Sequence, residues 1–379
     1  MSLHPGTAAK RPKHRHRHHQ SLLPGLPDHI AQLCLCLVPP SSLYSVCRSW
    51  RRLIYYSSFP PFPSIYALFS SSENNLHFSS FDPISSQWIP LPPPPQDPPL
   101  RRLLFRHPAF LSRKLPIQSV TVSGKLVLLA ATADQLLPAL SHPLVFDPPS
   151  QTWTHGPPLS APRRWCIAGA LRGAAYVASG IGSHYDNDVA RSVEKWDLDD
   201  LSAVVDPKVS ELRRRWKWEK MAKLRDAKFS REAIDAVGWR GKLCMVNVKG
   251  DAAKEGIIYD VGADSWEEMP EGMLAGWRGP AAAMAEETIF AVDESKGRLN
   301  KYDHVKDAWV EIVENQLLKG AQQLAAAAGK VCVLCADGMR IAVVDVAAPP
   351  PARVWVVEVP PRFQALGIHV LPRFSISVD

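Results

Sequence analysis

Hydrophobic and polar residues follow two different patterns along this chain. Between Leu22 and Tyr56 the apolar residues recur at steps of three and four, which is the period of an amphipathic helix. From Ser64 onward, short apolar runs are separated by turn residues, which is typical of β-strands. The pattern therefore predicts a small helical segment followed by a large, mainly β region.

Two or three short amphipathic helices are predicted within residues 22–56. The first begins at Asp28, which can cap it, and ends at the Pro39-Pro40 pair. Its apolar stripe comprises Ile30, Leu33, Leu37 and Val38. The second begins at Ser41 or Ser42, and its continuous apolar face comprises Leu43, Val46, Cys47, Trp50, Leu53 and Ile54. A unit this small rarely forms a stable core by itself, so we expect it to bind a partner.

Three short motifs in this segment resemble the F-box, the helical module that docks a substrate receptor onto the small adaptor of a cullin-RING ubiquitin ligase. They are Leu26-Pro27-Asp28, Val38-Pro39 and Val46-Cys47-Arg48-Ser49-Trp50-Arg51. The resemblance implies that an SKP-family adaptor, and through it a cullin, is the partner. The residues assigned to the adaptor are Leu26, Pro27, Ile30, Leu33, Leu37, Val38, Pro39, Leu43, Val46 and Trp50. The alternative is an ordinary helical hairpin packed on the rest of the chain.

A second signal repeats along the β region. An aromatic or apolar residue followed by Asp recurs, and a Trp usually follows six residues after the Asp. The regular copies are Phe81-Asp82 with Trp88, Phe146-Asp147 with Trp153, Tyr259-Asp260 with Trp266, and Tyr302-Asp303 with Trp309. Two looser copies pair Trp196-Asp197 with Trp218 and Val344-Asp345 with Trp355. Apolar runs precede each Asp, so each unit is predicted to form four short strands.

Four-stranded sheets repeated in this way are propeller blades, and the spacing of Tyr-Asp and Trp resembles the kelch repeat. The resemblances imply a mainly β fold, with a short N-terminal helical F-box followed by a kelch-type β-propeller of six blades. We expect each Asp to bond the backbone two residues further on. We expect each Trp to pack between neighbouring blades. The paired glycines of kelch repeats are reduced to Ser179-Gly180 in one unit.

The two ends of the repeat region complement each other. The first copy, from Ser64, has three strands, and one apolar strand at residues 363–372 is left over after the sixth Trp. We predict that this C-terminal strand completes the N-terminal blade and closes the ring, which removes exposed sheet edges. The predicted boundaries are a disordered basic tail at 1–20, an F-box domain at 21–60 and a propeller at 61–379.

Two segments interrupt the repeats. The proline-rich segment Pro90 to Pro99 is interpreted as an extended surface connection, with a ligand for an SH3-like or WW-like groove as the alternative. The basic insertion Lys208 to Arg225 is interpreted as a solvated loop, with a site for an acidic partner as the alternative.

Charge is concentrated at the N-terminus. Residues 1–20 carry +5 of the formal +7, so the remaining 359 residues carry only +2. This balance argues against a nucleic-acid-binding face, and no apolar run is long enough for a transmembrane helix. The tail is interpreted as solvated, with a nuclear import signal or a weak metal tract as alternatives. We expect localisation in the nucleus and/or the cytoplasm.

Residues suited to metal binding or catalysis are sparse. In each of the pairs Cys34/Cys36 and Cys332/Cys335 the side chains are predicted to face apart, so neither pair can chelate one ion. Seven cysteines without regular spacing fit reduced thiols. No catalytic triad, phosphate-binding glycine loop or zinc motif is present. Although some propellers are hydrolases or copper oxidases, we expect no cofactor, no metal and no catalytic activity.

One face of the propeller is the predicted binding surface. The loops between the second and third strands, and those that lead to the next blade, emerge on the same face. Arginine and tryptophan are common in these loops, and both are enriched at binding hot spots. We predict a target protein with acidic character, contacted by Arg163, Arg164, Trp165, His184, Tyr185, Trp277 and Arg278. The alternative is that Trp165 and Trp277 fill the loop layer.

Two functions remain open at this point. The resemblances imply a non-catalytic substrate receptor of an SCF-type ubiquitin ligase, whose helices bind the adaptor and whose propeller binds the target. The alternative is a propeller scaffold for protein-protein interaction without a ligase. Exposure of Leu26, Pro27, Ile30 and Leu43 distinguishes the two, because exposed apolar residues mark a docking patch.

Overall fold

The computed structural model describes residues 21–56, 59–73, 75–95, 100, 117–133, 137–198, 217–227, 236–247 and 255–373. The described residues fall into two compact units, one that ends at Pro60 and one that begins at Pro61. Within these ranges, no helix is long and apolar enough to cross a membrane. The predicted basic tail at 1–20 lies outside the described residues.

The helical unit contains α1 (Asp28–Leu35), α2 (Pro40–Val46) and α3 (Arg48–Tyr55). The prediction that Asp28 caps α1 is wrong. Pro27 is the N-cap residue, and an Asp28 carboxylate oxygen instead accepts a hydrogen bond from the Leu22 amide at 3.1 Å. The predicted continuous second helix is also wrong, because Cys47 is extended, with φ −155° and ψ 168°, and separates α2 from α3.

The buried side chains of the three helices come from one side of each helix. They are Ala31, Leu35, Leu43, Leu53 and Ile54. In α1, Ala31 and Leu35 are four residues apart and share one face, so Ile30 and Leu33 lie on a different face. The Trp50 indole N–H donates a hydrogen bond to the Leu22 carbonyl at 2.8 Å, which holds the segment before α1 against α3.

The second unit begins with three sheets. Blade 1 contains β1 (Pro63–Ser71), β2 (Leu76–Asp82) and β3 (Gln87–Leu91). Blade 2 contains β4 (Ile117–Val122), β5 (Lys125–Ala131), β6 (Leu144–Asp147) and β7 (Thr152–His155). Blade 3 contains β8 (Ile167–Leu171), β9 (Ala174–Ala178), β10 (Val193–Asp197) and β11 (Glu219–Lys220), with helix α4 (Asn187–Arg191) before β10.

Three further sheets follow. Blade 4 contains β12 (Ala236–Trp239), β13 (Lys242–Asn247), β14 (Glu255–Asp260) and β15 (Ser265–Glu268). Helix α5 (Glu271–Gly276) leads to blade 5, with β16 (Ala281–Met284), β17 (Thr288–Asp293), β18 (Arg298–Asp303) and β19 (Ala308–Glu314). A 3-10 turn (Gln316–Leu318) precedes blade 6, with β20 (Gln323–Ala327), β21 (Lys330–Leu334), β22 (Arg340–Asp345) and β23 (Arg353–Glu358).

The last strand, β24 (Phe363–Pro372), completes blade 1. It pairs antiparallel with β1 from Pro63 opposite Pro372 to Ser71 opposite Phe363, and the sheet order is β24-β1-β2-β3. The innermost strands contact one another in the closed cycle β24-β4-β8-β12-β16-β20. The predicted six-bladed propeller, closed by the C-terminal strand, is therefore confirmed.

The innermost strands line a central channel of about 350 Å³. Most of the lining residues are small, since six strands converge there, but His369 on β24 is large and polar. Its ring nitrogens lie 2.9 Å from Ser119 Oγ and 3.2 Å from Thr121 Oγ1, both on β4. Burial lowers the pKa of His369 to about 4. The closing strand is thus linked to blade 2 through a neutral histidine.

The tryptophans of the repeat join neighbouring blades. In the regular copies the aromatic residue before Asp lies directly opposite the Trp, as in Phe81 with Trp88 and Tyr302 with Trp309. Each indole N–H donates to a carbonyl of the preceding blade or of the segment that follows it. These pairs are Trp88 with Glu358 (2.8 Å), Trp153 with Pro92 (2.8 Å), Trp218 with Pro157 (3.0 Å), Trp266 with Ala222 (3.1 Å) and Trp309 with Met273 (2.9 Å). The predicted inter-blade role is confirmed for these five residues.

Trp355 departs from this pattern. It lies opposite Val343 rather than Val344, one residue out of register. Its side chain is 41% exposed, and the Lys330 ammonium lies 5.7 Å from its ring centre. The prediction that this Trp packs between blades is wrong, because a shift of one residue along a strand turns the side chain to the other face.

The prediction that each repeat Asp bonds the amide two residues further on is confirmed for four of the six. For Asp197 that amide, at position 199, lies outside the described residues. The Oδ1 atoms of Asp82, Asp260, Asp303 and Asp345 accept a hydrogen bond from the amide two residues further on, at 2.9 to 3.2 Å. Asp147 accepts from the amide three residues on, at Ser150. At Asp260 the amide of Ala263 also donates, and these hydrogen bonds hold the pKa of the carboxyl below its usual range.

The two interrupting segments are only partly described. Pro90 belongs to the edge strand β3, where a missing amide is tolerated, and 96–99 lie outside the described residues. Residues 208–216 also lie outside them. In the described remainder the basic residues are exposed, as a solvated loop requires: Lys217, Lys220, Lys223 and Arg225. The solvated-loop interpretation is wrong at Trp218, which is buried against Trp196 with ring centres 5.7 Å apart, and at the next two residues, which form β11.

Candidate functional site

Exposed apolar side chains on the helical unit form the first candidate site. The exposed fractions are 39% for Leu26, 39% for Ile30, 66% for Leu33, 88% for Leu37 and 57% for Val46. We call these five residues the exposed apolar set. Leaving such side chains in water on so small a unit loses the stabilisation of burying them. The arrangement is typical of a surface that a partner covers.

The other predicted adaptor residues are placed differently. Pro27 and Pro39 are exposed, whereas Val38 and Trp50 are half-buried. Leu43 is 0% exposed, so the prediction that it contacts a partner is corrected: it faces the buried side of α2. Of the four residues chosen to distinguish a docking patch from a packed hairpin, Leu26, Pro27 and Ile30 are exposed, which favours the docking patch.

The second candidate site is the loop face of the propeller. It includes residues 156–166, between β7 and β8, and residues 179–186, between β9 and α4. Two backbone hydrogen bonds connect these loops, from Arg164 N to Ile181 O at 2.9 Å and from Ile181 N to Arg164 O at 3.0 Å. The structure thus brings together two loops that the sequence placed on one face.

Gly180 allows the two loops to approach. Its φ is +98°, a region that residues with a Cβ rarely adopt, and a Cβ at this position would lie 2.9 Å from the Arg164 carbonyl oxygen. This glycine belongs to the Ser179-Gly180 pair that the sequence retains from the kelch pattern. A larger residue there would push the Arg164 loop away.

Arg163 lies beneath this face rather than on it. Its side chain is 0% exposed and forms a buried ion pair with Glu194. It also donates to Ser192 Oγ at 2.7 Å and to the carbonyls of Ala161 at 3.1 Å and Ser179 at 3.2 Å. The prediction that Arg163 contacts a target is therefore corrected: it holds the loop in place.

Arg164 and Trp165 form the part of the loop that is partly exposed. The guanidinium carbon of Arg164 lies 4.6 Å from the Trp165 ring centre, and its Nη1 donates to the Gly182 carbonyl at 2.9 Å. Desolvation lowers the pKa of Arg164, although the side chain stays charged at neutral pH. Trp165 has a positive φ of 53°, which is uncommon for a bulky residue.

The remaining predicted target residues also divide into exposed and buried ones. His184 and Tyr185 are exposed on the adjoining loop, and Arg278 is exposed before β16. Trp277 is 1% exposed, and its ring centre lies 6.1 Å from that of Trp309. The prediction that Trp277 contacts a target is corrected, and the alternative that it fills the loop layer holds for this residue.

Sequence reasoning missed Glu194 and the serines around it. Glu194 accepts hydrogen bonds from Ser160 Oγ at 2.7 Å and from the Ser160 amide at 3.3 Å, besides its ion pair with Arg163. The available signal was that Glu194 lies two residues before Trp196 on β10 and so shares its face, because a charge on a buried face requires a partner.

The structure shows no candidate metal centre among the described residues, since no group of three or more His, Cys, Asp or Glu side chains could hold an ion. Cys332 and Cys335 are both buried but pack into different hydrophobic clusters, which confirms that they face apart. Burial raises the pKa of Cys332 to about 12, so this thiol stays protonated.

Comparison with known proteins identifies the family. No family model matches the chain. The chain is, however, 52% identical to the F-box/kelch-repeat protein SKIP25 of Arabidopsis thaliana, across 97% of this chain and 95% of that protein. It is 26% identical to the F-box protein AFR of the same plant, across 73% of this chain and 69% of that protein. Together with the helical unit and the six-bladed propeller, this similarity shows that the chain belongs to the F-box/kelch-repeat proteins.

Proposed function

We propose that this protein is a substrate-recognition subunit of an SCF-type ubiquitin ligase. Its helical unit binds an SKP-family adaptor, which connects it to a cullin, and its propeller binds the target protein. The observation that carries the proposal is the exposed apolar set: five apolar side chains left in water on a helical unit with the F-box motifs. The family of the chain supports the same role.

The proposed contribution to ubiquitin transfer is proximity. Holding a lysine of the target beside the charged ubiquitin carrier turns a bimolecular encounter into an effectively intramolecular one. The chain then supplies no catalytic residue of its own, and the chemistry belongs to other subunits.

Adaptor binding tests the proposal. The full chain is co-expressed with an SKP-family adaptor, and the double variant Ile30→Asp/Leu33→Asp is compared with the wild type. Both side chains are exposed, so folding is retained, whereas a carboxylate in an apolar interface is strongly unfavourable. We expect the wild type to co-purify with the adaptor and the double variant to lose it, with an unchanged melting temperature of the propeller.

Tyr56→Ser is the matched control, because Tyr56 is exposed after α3 but does not belong to the exposed apolar set. It should retain the adaptor. If the wild type does not bind the adaptor, the ligase proposal fails and a non-ligase scaffold for protein-protein interaction replaces it. If the double variant binds as well as the wild type, the exposed apolar set is not the adaptor surface and the observation that carries the proposal is lost.

A further inference from the structure

Arg163 and Arg164 are adjacent in the chain, yet the protein uses their charges differently. Arg163 is neutralised inside the protein by Glu194. No described carboxylate forms an ion pair with Arg164, its single side-chain hydrogen bond to a described residue goes to Gly182, and its buried Nε has no described partner. Unused donors on a partly buried cation favour the binding of an anion, because an opposite charge offsets the lost hydration.

Contacts with three residues hold Arg164 in place. Its backbone is hydrogen bonded in both directions to Ile181, its Nη1 is held by Gly182, and the Trp165 ring lies against the guanidinium. The guanidinium is therefore oriented before any ligand arrives. An arginine held in this way loses little conformational entropy on binding, and its planar group can donate two parallel hydrogen bonds to a carboxylate.

The Trp165 backbone supports this interpretation. Its φ of 53° is unfavourable for a residue with a Cβ, and the surrounding hydrogen bonds maintain it. The buried Arg163 network directly beneath provides that support, since its four partners fix the preceding backbone.

We propose that Arg164, backed by Trp165, binds a carboxylate side chain of the target protein. This inference rests on the proposed function, because it assigns the chemistry of the target on the loop face. Arg163 is the positioning residue of the same loop.

The charges nearby favour a carboxylate over a phosphate. The adjoining loop and α4 carry the exposed acids Asp186 and Asp188, and Lys223 pairs with Asp188 at 2.8 Å. A single unpaired arginine matches one negative charge. A phosphate carries nearly two, so these acids repel it more strongly than they repel a carboxylate. The exposed Tyr185 on the same loop offers apolar surface to a residue beside the acid.

A peptide selection with the full chain, which needs no adaptor, tests the inference. Random peptides displayed on phage are selected on the wild type, and selected peptides are then synthesised with Glu, Gln or phosphoserine at the shared acidic position. We expect an Asp or Glu at one position, and about 10-fold or more weaker binding of the Gln peptide, as for loss of a charged hydrogen-bonded pair.

Three variants complete the experiment. Arg164→Ala should bind the Glu and Gln peptides equally, and Arg164→Lys should keep part of the preference, because lysine retains the charge without the planar donors. Arg353→Ala, an exposed arginine on β23, should bind as the wild type does. A stability effect alone would weaken both peptides and would not remove the difference between them.

Several outcomes would overturn the inference. These are a failure to select any peptide, selection without a shared acid, a Glu preference that survives Arg164→Ala, or tighter binding of phosphoserine than of Glu. The adaptor experiment tests the proposed function separately. It depends on the helical unit, which Arg164→Ala leaves unchanged, so either proposal can fail without the other. Acid-dependent peptide binding without adaptor binding would retain the inference and overturn the ligase.

Discussion

At the scale of single residues, the indole N–H groups of five tryptophans connect neighbouring blades. Each reaches a backbone carbonyl outside its own sheet, so the contact satisfies a polar group at the junction between two blades. Trp355 has the same residue type and a similar position in its repeat, but it faces outward. The role of a tryptophan here depends on its register, not on its identity.

Trp309→Phe and Trp355→Phe should therefore differ. Trp309→Phe removes the donor to the Met273 carbonyl and should lower the free energy of unfolding by about 1–3 kcal/mol. Trp355→Phe changes an exposed ring and should remain within about 0.5 kcal/mol of the wild type. Urea denaturation followed by circular dichroism measures both, and equal effects of the two variants would contradict the assigned roles.

At the scale of elements, connections between blades come from side chains that reach across a junction. Helix α5, after blade 4, receives such a contact from blade 5. The Asp307 carboxylate accepts hydrogen bonds from the amides of Gly272 and Met273, both at 2.8 Å, and from the Tyr302 hydroxyl at 2.6 Å. The Tyr302 hydrogen bond contributes most to holding the pKa of Asp307 below its usual range. The closing strand β24 is connected to blade 2 in a similar way by His369.

His369 makes the closing strand sensitive to acid. Its folded-state pKa of about 4 lies below its ordinary value of 6.5, so the fold favours the neutral ring. This contribution is fully present above pH 6.5 and is lost as the pH falls towards 4, at up to about 1.4 kcal/mol per pH unit.

The substitution His369→Gln removes the titrating group and keeps a side chain that can bond Ser119 and Thr121. Urea midpoints at pH 7, 6 and 5 should fall more steeply for the wild type than for this variant. Because the variant keeps every other titrating group, its slope measures their contribution to the pH dependence. Parallel slopes would show that His369 is not responsible.

At the scale of the whole molecule, the two compact units are stabilised in different ways. The propeller closes on itself and leaves no first or last blade unpaired. The helical unit buries few side chains and exposes the apolar set, and units of this size are marginally stable. Binding of a partner to the folded form adds stability by mass action.

Hydrogen exchange measures this difference directly. In the chain without an adaptor, amides of α1 to α3 should exchange much faster than those of β1 and β24. Addition of an SKP-family adaptor should slow the helical amides and leave the propeller strands unchanged. Equal protection of both units before the adaptor is added would contradict the expected marginal stability of the helices.

Much of the architecture could be predicted because its signals are local. The Asp and Trp repeat, the missing strand of blade 1 and the unpaired run at 363–372 together indicated a closed six-bladed ring. The helix boundaries around Cys47 could not be predicted, because the apolar period continues through that residue while its backbone is extended. The outward register of Trp355 also depends on how β23 pairs with β22.

By itself, the sequence determined the number of blades, the closure by the last strand and the presence of a helical unit with an apolar surface. Spacing along one chain suffices for these features. Only the tertiary structure decided which candidate side chains are accessible: Leu33 rather than Leu43, and Arg164 rather than Arg163. Burial is set by residues distant in sequence, and Glu194 neutralises Arg163 only after strand β10 has taken its place in blade 3.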